Sequence, residues 1–242
     1  MIDTSIKACL TWNGKNSRDL GIYISQVPNL SRPQREMKVV DVDGRNGSLV
    51  FPQKAWNNIT RSYAIFTGEQ TWDAERYYDA LVEWLSADGY QRLEDDFEPD
   101  VYRLAYFAGN VDIVNFFGES GTATLNFNSK PQKFLKSGEK AVSFSSGGGV
   151  LRNPTGFEAK PLIVVRGSGS GTVAIGGVSV SISSIGTSVT LDCENQDAYN
   201  GSTNRNNTIT ASTFPVLKPG NNTIALTGGA TSVTITPRFW RL

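Results

Sequence analysis

The sequence predicts a mainly β protein in two parts: an N-terminal β-barrel or sheet domain with one amphipathic helix, followed by a C-terminal β-sandwich. Three observations carry this prediction. Runs of β-branched and aromatic residues recur along all 242 residues, separated by Gly, Asn and Pro turn signals. Only one segment shows the helical period. Composition changes near residue 145: large aromatics and most charges precede it, and Gly, Ser, Thr, Val and Ile dominate after it. The break, Ser145-Ser146-Gly147-Gly148-Gly149, reads as a short flexible linker, placing the domains at residues 1–145 and 150–242.

Taken in order, Val39 to Asp43 and Ser48 to Phe51 flank Gly44-Arg45-Asn46-Gly47, whose glycines and asparagine tolerate positive φ, so a β-hairpin is expected. Ile59 to Phe66 has strong β propensity. The helix is expected to start at Thr71, a good N-cap, with Asp73 and Glu75 in its first turn, and to end near Asp88-Gly89. Its Trp72, Tyr77, Leu81, Trp84 and Leu85 share one face, which should cover a sheet. Val101 to Ala108 and Val111 to Phe117 read as a strand pair turned at Gly109-Asn110, and Leu125 to Leu135 as a further strand weakened by Pro131. In the second half, Pro161 to Arg166, Thr172 to Ile175, Val178 to Ile182, Ser188 to Cys193, Thr223 to Leu226 and Ser232 to Thr236 are read as short separate strands. Gly176-Gly177 marks the clearest hairpin among them.

Composition narrows the function. There are 23 basic and 23 acidic residues, so the basic footprint of a nucleic-acid binder is missing. Such neutrality suits a subunit destined for assembly. The chain has no histidine, which removes Ser-His-Asp and Cys-His catalysis and every histidine-ligated metal site. Cys9 and Cys193 are too few for a disulfide framework and read as small buried hydrophobes. Residues 1–15 hold no apolar run of signal-peptide length, and no stretch approaches the roughly 20 apolar residues needed to span a bilayer. A soluble protein made in a cytoplasm, with no membrane insertion, is expected.

Four constellations could carry chemistry. Glu94, Asp95, Asp96, Glu98 and Asp100 crowd after the helix; such a cluster could hold a hard cation, or pair Glu94 with Asp96 or Asp100 as a glycosidase would, but it reads first as a solvated acidic loop. Asp41-Val42-Asp43-Gly44-Arg45-Asn46-Gly47 opens like a calcium loop but fails at Arg45 and at Pro52, where a bidentate Glu is needed. Gly167-Ser168-Gly169-Ser170-Gly171 and Gly147 to Gly149 lack the Lys and the following helix of a phosphate loop and read as turns. Trp12, Trp56, Trp72 and Trp84 read as core or subunit interface, whereas Trp240, the only tryptophan of the sandwich, could stack on a sugar if exposed. No catalytic residue, cofactor or metal is assigned.

The order of motifs adds a resemblance. Val42-Asp43-Gly44-Arg45-Asn46-Gly47-Ser48-Leu49, the helix, Phe116-Phe117-Gly118 and Ala123-Thr124-Leu125-Asn126-Phe127 resemble the N-terminal domain of the siphophage distal tail protein family. Asn153 to Pro161, Leu191 to Tyr199, Phe214 to Ile224 and Thr236 to Leu242 are similar, in order, to that family's C-terminal domain. The resemblance implies a galectin-like C-terminal sandwich and a non-enzymatic virion component of the phage tail tip or baseplate. It implies a homo-hexamer ring that contacts the major tail (tube) protein and the tail-associated tip protein, with the tape-measure and receptor-binding proteins as further possible partners. It implies no nucleic-acid sequence recognition. The alternative reading is a carbohydrate-binding host-recognition module.

Overall fold

The computed structural model describes residues 7–67, 74–112 and 121–242. The chain divides into two compact units, Met1–Lys133 with Leu242 and Phe134–Arg241. Both are β-structures, and one α-helix is present among the described residues, as the periodicity predicts. The division falls ahead of the glycine-rich segment that composition marks. Residues 145–149 lie inside the second unit as a tight turn, closed by the Gly148 amide donating to the Ser145 carbonyl at 2.8 Å.

In the first unit, β1 (Leu10–Trp12), β2 (Lys15–Asn16), β3 (Ile22–Ile24), β6 (Ile59–Thr67), β7 (Gln91–Asp95), β8 (Val101–Phe107) and β9 (Thr122–Ser129) form an antiparallel sheet in the order β2-β1-β7-β8-β9-β6-β3. Alternation along these strands turns Leu10, Trp12, Tyr63, Ile65, Leu93, Ala105, Leu125 and Phe127 into one buried cluster. The helix α1 (Ala74–Leu85) adds Leu81, Trp84 and Leu85 to it, so its apolar face covers the sheet. Each such side chain contributes about 1.5–3 kcal/mol by leaving water. Trp84 meets Trp12 edge-on at 6.5 Å and donates its indole N–H to the Trp12 carbonyl at 3.1 Å. The expected cap Thr71 and the face residue Trp72 lie outside the described residues.

Among the described residues, the strands β4 (Arg35–Val40) and β5 (Leu49–Trp56) pair only with each other, as a two-stranded ribbon around the expected hairpin. The pairing expected for β8 is different. Its neighbours are β7 and β9, while residues 111–112 form no strand and 113–117 lie outside the described residues. The expected strand from Leu125 to Leu135 is two, β9 and β10 (Lys133–Leu135), parted around Pro131, which cannot donate to a ladder.

The second unit contains the latter part of β10, then β11 (Val142–Ser145), β12 (Gly149–Asn153), β13 (Leu162–Ile175), β14 (Val178–Ile182), β15 (Ser188–Asp192), β16 (Asp197–Asn200), β17 (Thr203–Asn204), β18 (Ile209–Thr210), β19 (Gly220–Thr236) and β20 (Trp240–Arg241). The Gly176-Gly177 hairpin joins β13 to β14, with φ of 59° and 88° at its two glycines. The short strands expected on either side of Gly167–Gly171 are one 14-residue strand, and those around Gly228-Gly229 are one 17-residue strand. Gly167–Gly171 is therefore not a turn but the place where β13 slips register against β19. A Cβ on Gly229 would lie 1.7 Å from the Ser168 carbonyl oxygen, a backbone approach only glycine allows. Glycines at this crossing let both strands bend without breaking, so the sheet curls over one core. Ile163 and Val165 from one half of β13, and Val173 and Ile175 from the other, meet Ile224, Leu226, Val233 and Ile235 of β19 in that core.

Candidate functional site

Two places in the first unit hold side chains that ordinary packing does not explain. The first is the β4–β5 ribbon. Its register sets Val39 opposite Val50 and Met37 opposite Pro52, so these four residues share one face. Met37 is 51% exposed, Val39 55% and Val50 54%, and Phe51 on the opposite face is 50% exposed. Val27 and Leu30, in the segment before β4, are more exposed still. An isolated two-stranded ribbon is marginal in water, and a cluster of exposed apolar side chains marks a contact surface. At its base the Arg35 guanidinium lies 5.8 Å from the Trp56 ring centre and donates to the Gln53 carbonyl at 3.1 Å. The arrangement can bury apolar area and pair open strand edges against another chain.

The second is the acidic cluster, and its expected character as a solvated loop is overturned for two members. Asp95 ends β7 pointing inward, where its Oδ2 accepts from Arg61 Nη2 at 3.0 Å and from the Tyr63 hydroxyl at 2.7 Å. Its Oδ1 accepts from the Phe97 and Glu98 amides, both at 3.1 Å, and so fixes the turn that follows. Arg61 also donates to the Asn29 carbonyl at 2.9 Å. Glu98 bridges Arg103 and the Lys133 ammonium, the latter at 3.0 Å. Burial alone would raise the Glu98 pKa, but the hydrogen bond and charge of Arg103, then Lys133, pull it down to about 2. Burial, reinforced by the charge on Asp95, pushes the Tyr63 hydroxyl pKa up. Asp96 accepts from the Cys9 amide at 2.8 Å, and Glu94 pairs with Arg92. Chemically the cluster ties β6, β7 and β8 together through buried charge.

Other sequence candidates settle into packing. Trp12 and Trp84 are core residues, and Trp56 is half-buried at the ribbon base. Trp240 stacks on Phe157 at 4.5 Å and donates its indole N–H to the Glu158 carbonyl at 2.9 Å, so one face of its ring and its polar edge are already engaged. Cys9 and Cys193 are free and buried, and burial pushes the Cys193 thiol up to about 12. Among the described residues no group of three or more His, Cys, Asp or Glu side chains is placed to hold a metal ion. No described helix is long and apolar enough to cross a membrane. Sequence reasoning missed Arg61 and Arg103. The available signal was that each sits at an inward position of a strand otherwise alternating with Tyr63, Ile65, Val101 and Ala105.

Comparison of the coordinates with solved structures finds the crystal structure of SPP1 Dit (gp 19.1), described as a paradigm of the hub adsorption apparatus in phages infecting Gram-positive bacteria. The alignment covers 97% of this chain and 99% of that one, with a TM-score of 0.76 and 17% identity. The chain has a Dit-like fold. Neither a family model nor a curated protein sequence matches it. The likeness to Dit extends over both units, so it includes the ribbon-bearing N-terminal sheet as well as the curled C-terminal one.

Proposed function

We propose that this chain is a non-enzymatic structural subunit of a bacteriophage tail, one that forms a ring joining the tail tube to the tail tip and acts as the hub on which that tip is assembled. The observation that carries this reading is the full-length likeness to the Dit protein of a phage adsorption apparatus. The exposed apolar face of β4–β5 supports it, because identical subunits that meet through two different surfaces close into a ring when the rotation permits. In this reading the partners are five further copies of the chain, the major tail (tube) protein above and the tail-associated tip protein below. The first unit builds the ring, and the second, galectin-like unit docks peripheral components. The acidic cluster is structural in this reading and has no catalytic part.

The test is the mass of the full chain in solution by light scattering, together with negative-stain images and mass spectrometry of the purified virions. Hexameric rings, and the chain's presence in tails, are the expected results. Placing Lys at both Val39 and Val50 should reduce assembly while leaving a folded monomer, since both side chains already face water. A chain that stays monomeric at high concentration and is absent from virions would overturn the proposal. Glycan binding by a monomeric chain would favour the host-recognition reading instead.

A further inference from the structure

We infer that Asn46, at the tip of the β4–β5 ribbon, is a site of spontaneous deamidation set apart from the chain's other Asn-Gly pairs by its geometry. This goes beyond the ring proposal and does not depend on it.

Three Asn-Gly pairs occur: Asn13-Gly14, Asn46-Gly47 and Asn200-Gly201. The reaction begins when the backbone nitrogen of the glycine attacks the asparagine side-chain carbonyl carbon. A C–N bond forms, the side-chain amide leaves as ammonia carrying the glycine amide proton, and a cyclic imide remains. Water then opens either carbonyl of the imide, giving aspartate or isoaspartate. Glycine favours the attack because no Cβ shields its nitrogen. The backbone must also rotate to bring nitrogen and carbon together, and the fold decides where that is possible.

Asn13 and Gly14 are the two loop residues between Trp12 and Lys15, which face each other in the β1–β2 ladder. Asn13 is further held by its amide donating to the Arg92 carbonyl at 3.0 Å. Asn200 is itself a strand residue, paired across to Thr203. Asn46 differs. It and Gly47 lie outside any strand, both are exposed, and a Cβ built on Gly47 would meet nothing within 4 Å. Among the described residues, those between Val40 and Leu49 carry one backbone bond, Arg45 to Val42 at 3.2 Å, and the Ser48 hydroxyl bond to Asp41. Rotation about Asn46 therefore breaks no ladder bond.

The product matters because of where it forms. Asp41 and Asp43 already crowd this tip, and deamidation adds a third carboxylate. Isoaspartate also inserts an extra backbone methylene just before β5, where Leu49 pairs with Val40.

The experiment ages the full folded chain in mildly alkaline buffer and maps the products by peptide mass spectrometry, with a separation that resolves isoaspartate. Modification at Asn46 is expected about tenfold sooner than at Asn13 or Asn200, since the latter two must first open a ladder. In urea the three sites should react at similar rates, and Asn46→Gln should remove the early product. Equal or faster reaction at Asn13 or Asn200 in the folded chain would overturn the inference. So would a folded chain unmodified at Asn46 over a time in which the urea-unfolded chain reacts at all three sites.

Discussion

Replacing Asp95 with Ala removes the acid from a pair whose side chains are 3% (Arg61) and 0% (Asp95) exposed. Arg61 then keeps its charge away from water with the Tyr63 oxygen and the Asn29 carbonyl as hydrogen-bond acceptors and the Glu98 carboxylate, already shared with Arg103 and Lys133, no nearer than 3.9 Å. The Tyr63 hydroxyl loses its 2.7 Å acceptor, and the Phe97 and Glu98 amides lose theirs. Breaking one side of a buried pair costs about 3–5 kcal/mol, and the orphaned hydroxyl and amides argue for the upper half of that range. Against a typical total of roughly 5–15 kcal/mol, this leaves the first unit near its unfolding limit. Asp95→Asn keeps the acceptor to the two amides and should lose about half as much. The double replacement Arg61→Met with Asp95→Leu should be less costly than Asp95→Ala alone, because no uncompensated charge stays inside. Urea titrations followed through Trp12 and Trp84 fluorescence would read all three. A loss below about 1 kcal/mol for Asp95→Ala would refute the reasoning, as would a double variant as unstable as the sum of its single changes.

Glu98 has its pKa lowered from 4.5 to about 2, so its contribution to stability is complete above the unfolded value and disappears as pH falls toward 2. After allowance for solvent screening that contribution is about 2 kcal/mol, and Glu98→Gln should flatten the acid limb of a stability-against-pH curve between those values. Gly229→Ala drives a methyl group into the Ser168 carbonyl and should cost more than about 3 kcal/mol, whereas Gly156→Ala, which meets nothing within 4 Å, should stay within about 0.5 kcal/mol; thermal melts compare them directly. Both thiols should resist an aromatic disulfide reagent in the native protein and react promptly in urea; prompt native reaction at Cys193 would contradict its burial and its raised pKa.

Much of the strand content was legible because hydrophobic alternation and turn residues report it directly, as at Ile59–Thr67 and at Val178–Ile182 after Gly176-Gly177. β7 was hidden by its own chemistry. Glu94 and Asp95, which end it, read as the start of an acidic loop until Arg61, a neighbour only in space, gives Asp95 a partner that allows a carboxylate to face inward. Glycine misled in the opposite direction. Gly167, Gly169, Gly171, Gly228 and Gly229 suggest turns one segment at a time, but together they allow two long strands to cross closely, a requirement visible only when both are seen side by side. The exposed ribbon was legible as a hairpin but not as a surface, because alternation cannot tell a face that meets the protein's own core from one that meets another chain.

The placement of β19 has a consequence for the order in which the second unit can form. This strand pairs with β11, β12 and β13, setting Thr234 against Ser143, Thr223 against Val150 and Ile235 against Ile163. The path β2-β1-β7-β8-β9-β6-β3 in the first unit is complete in sequence once Ser129 has been made. The second unit can close its local β13–β14 hairpin early, but its central seam must wait for residues 220–236. Pairings so distant in sequence fold slowly, and until the seam closes, Ile163, Val165, Val173 and Ile175 have no strand to meet on that side. Synthesis of the chain therefore exposes the apolar edge of β13 for a defined interval, and a ribosome stalled before residue 220 would carry the seven strands β2-β1-β7-β8-β9-β6-β3 with the second unit's main seam still open.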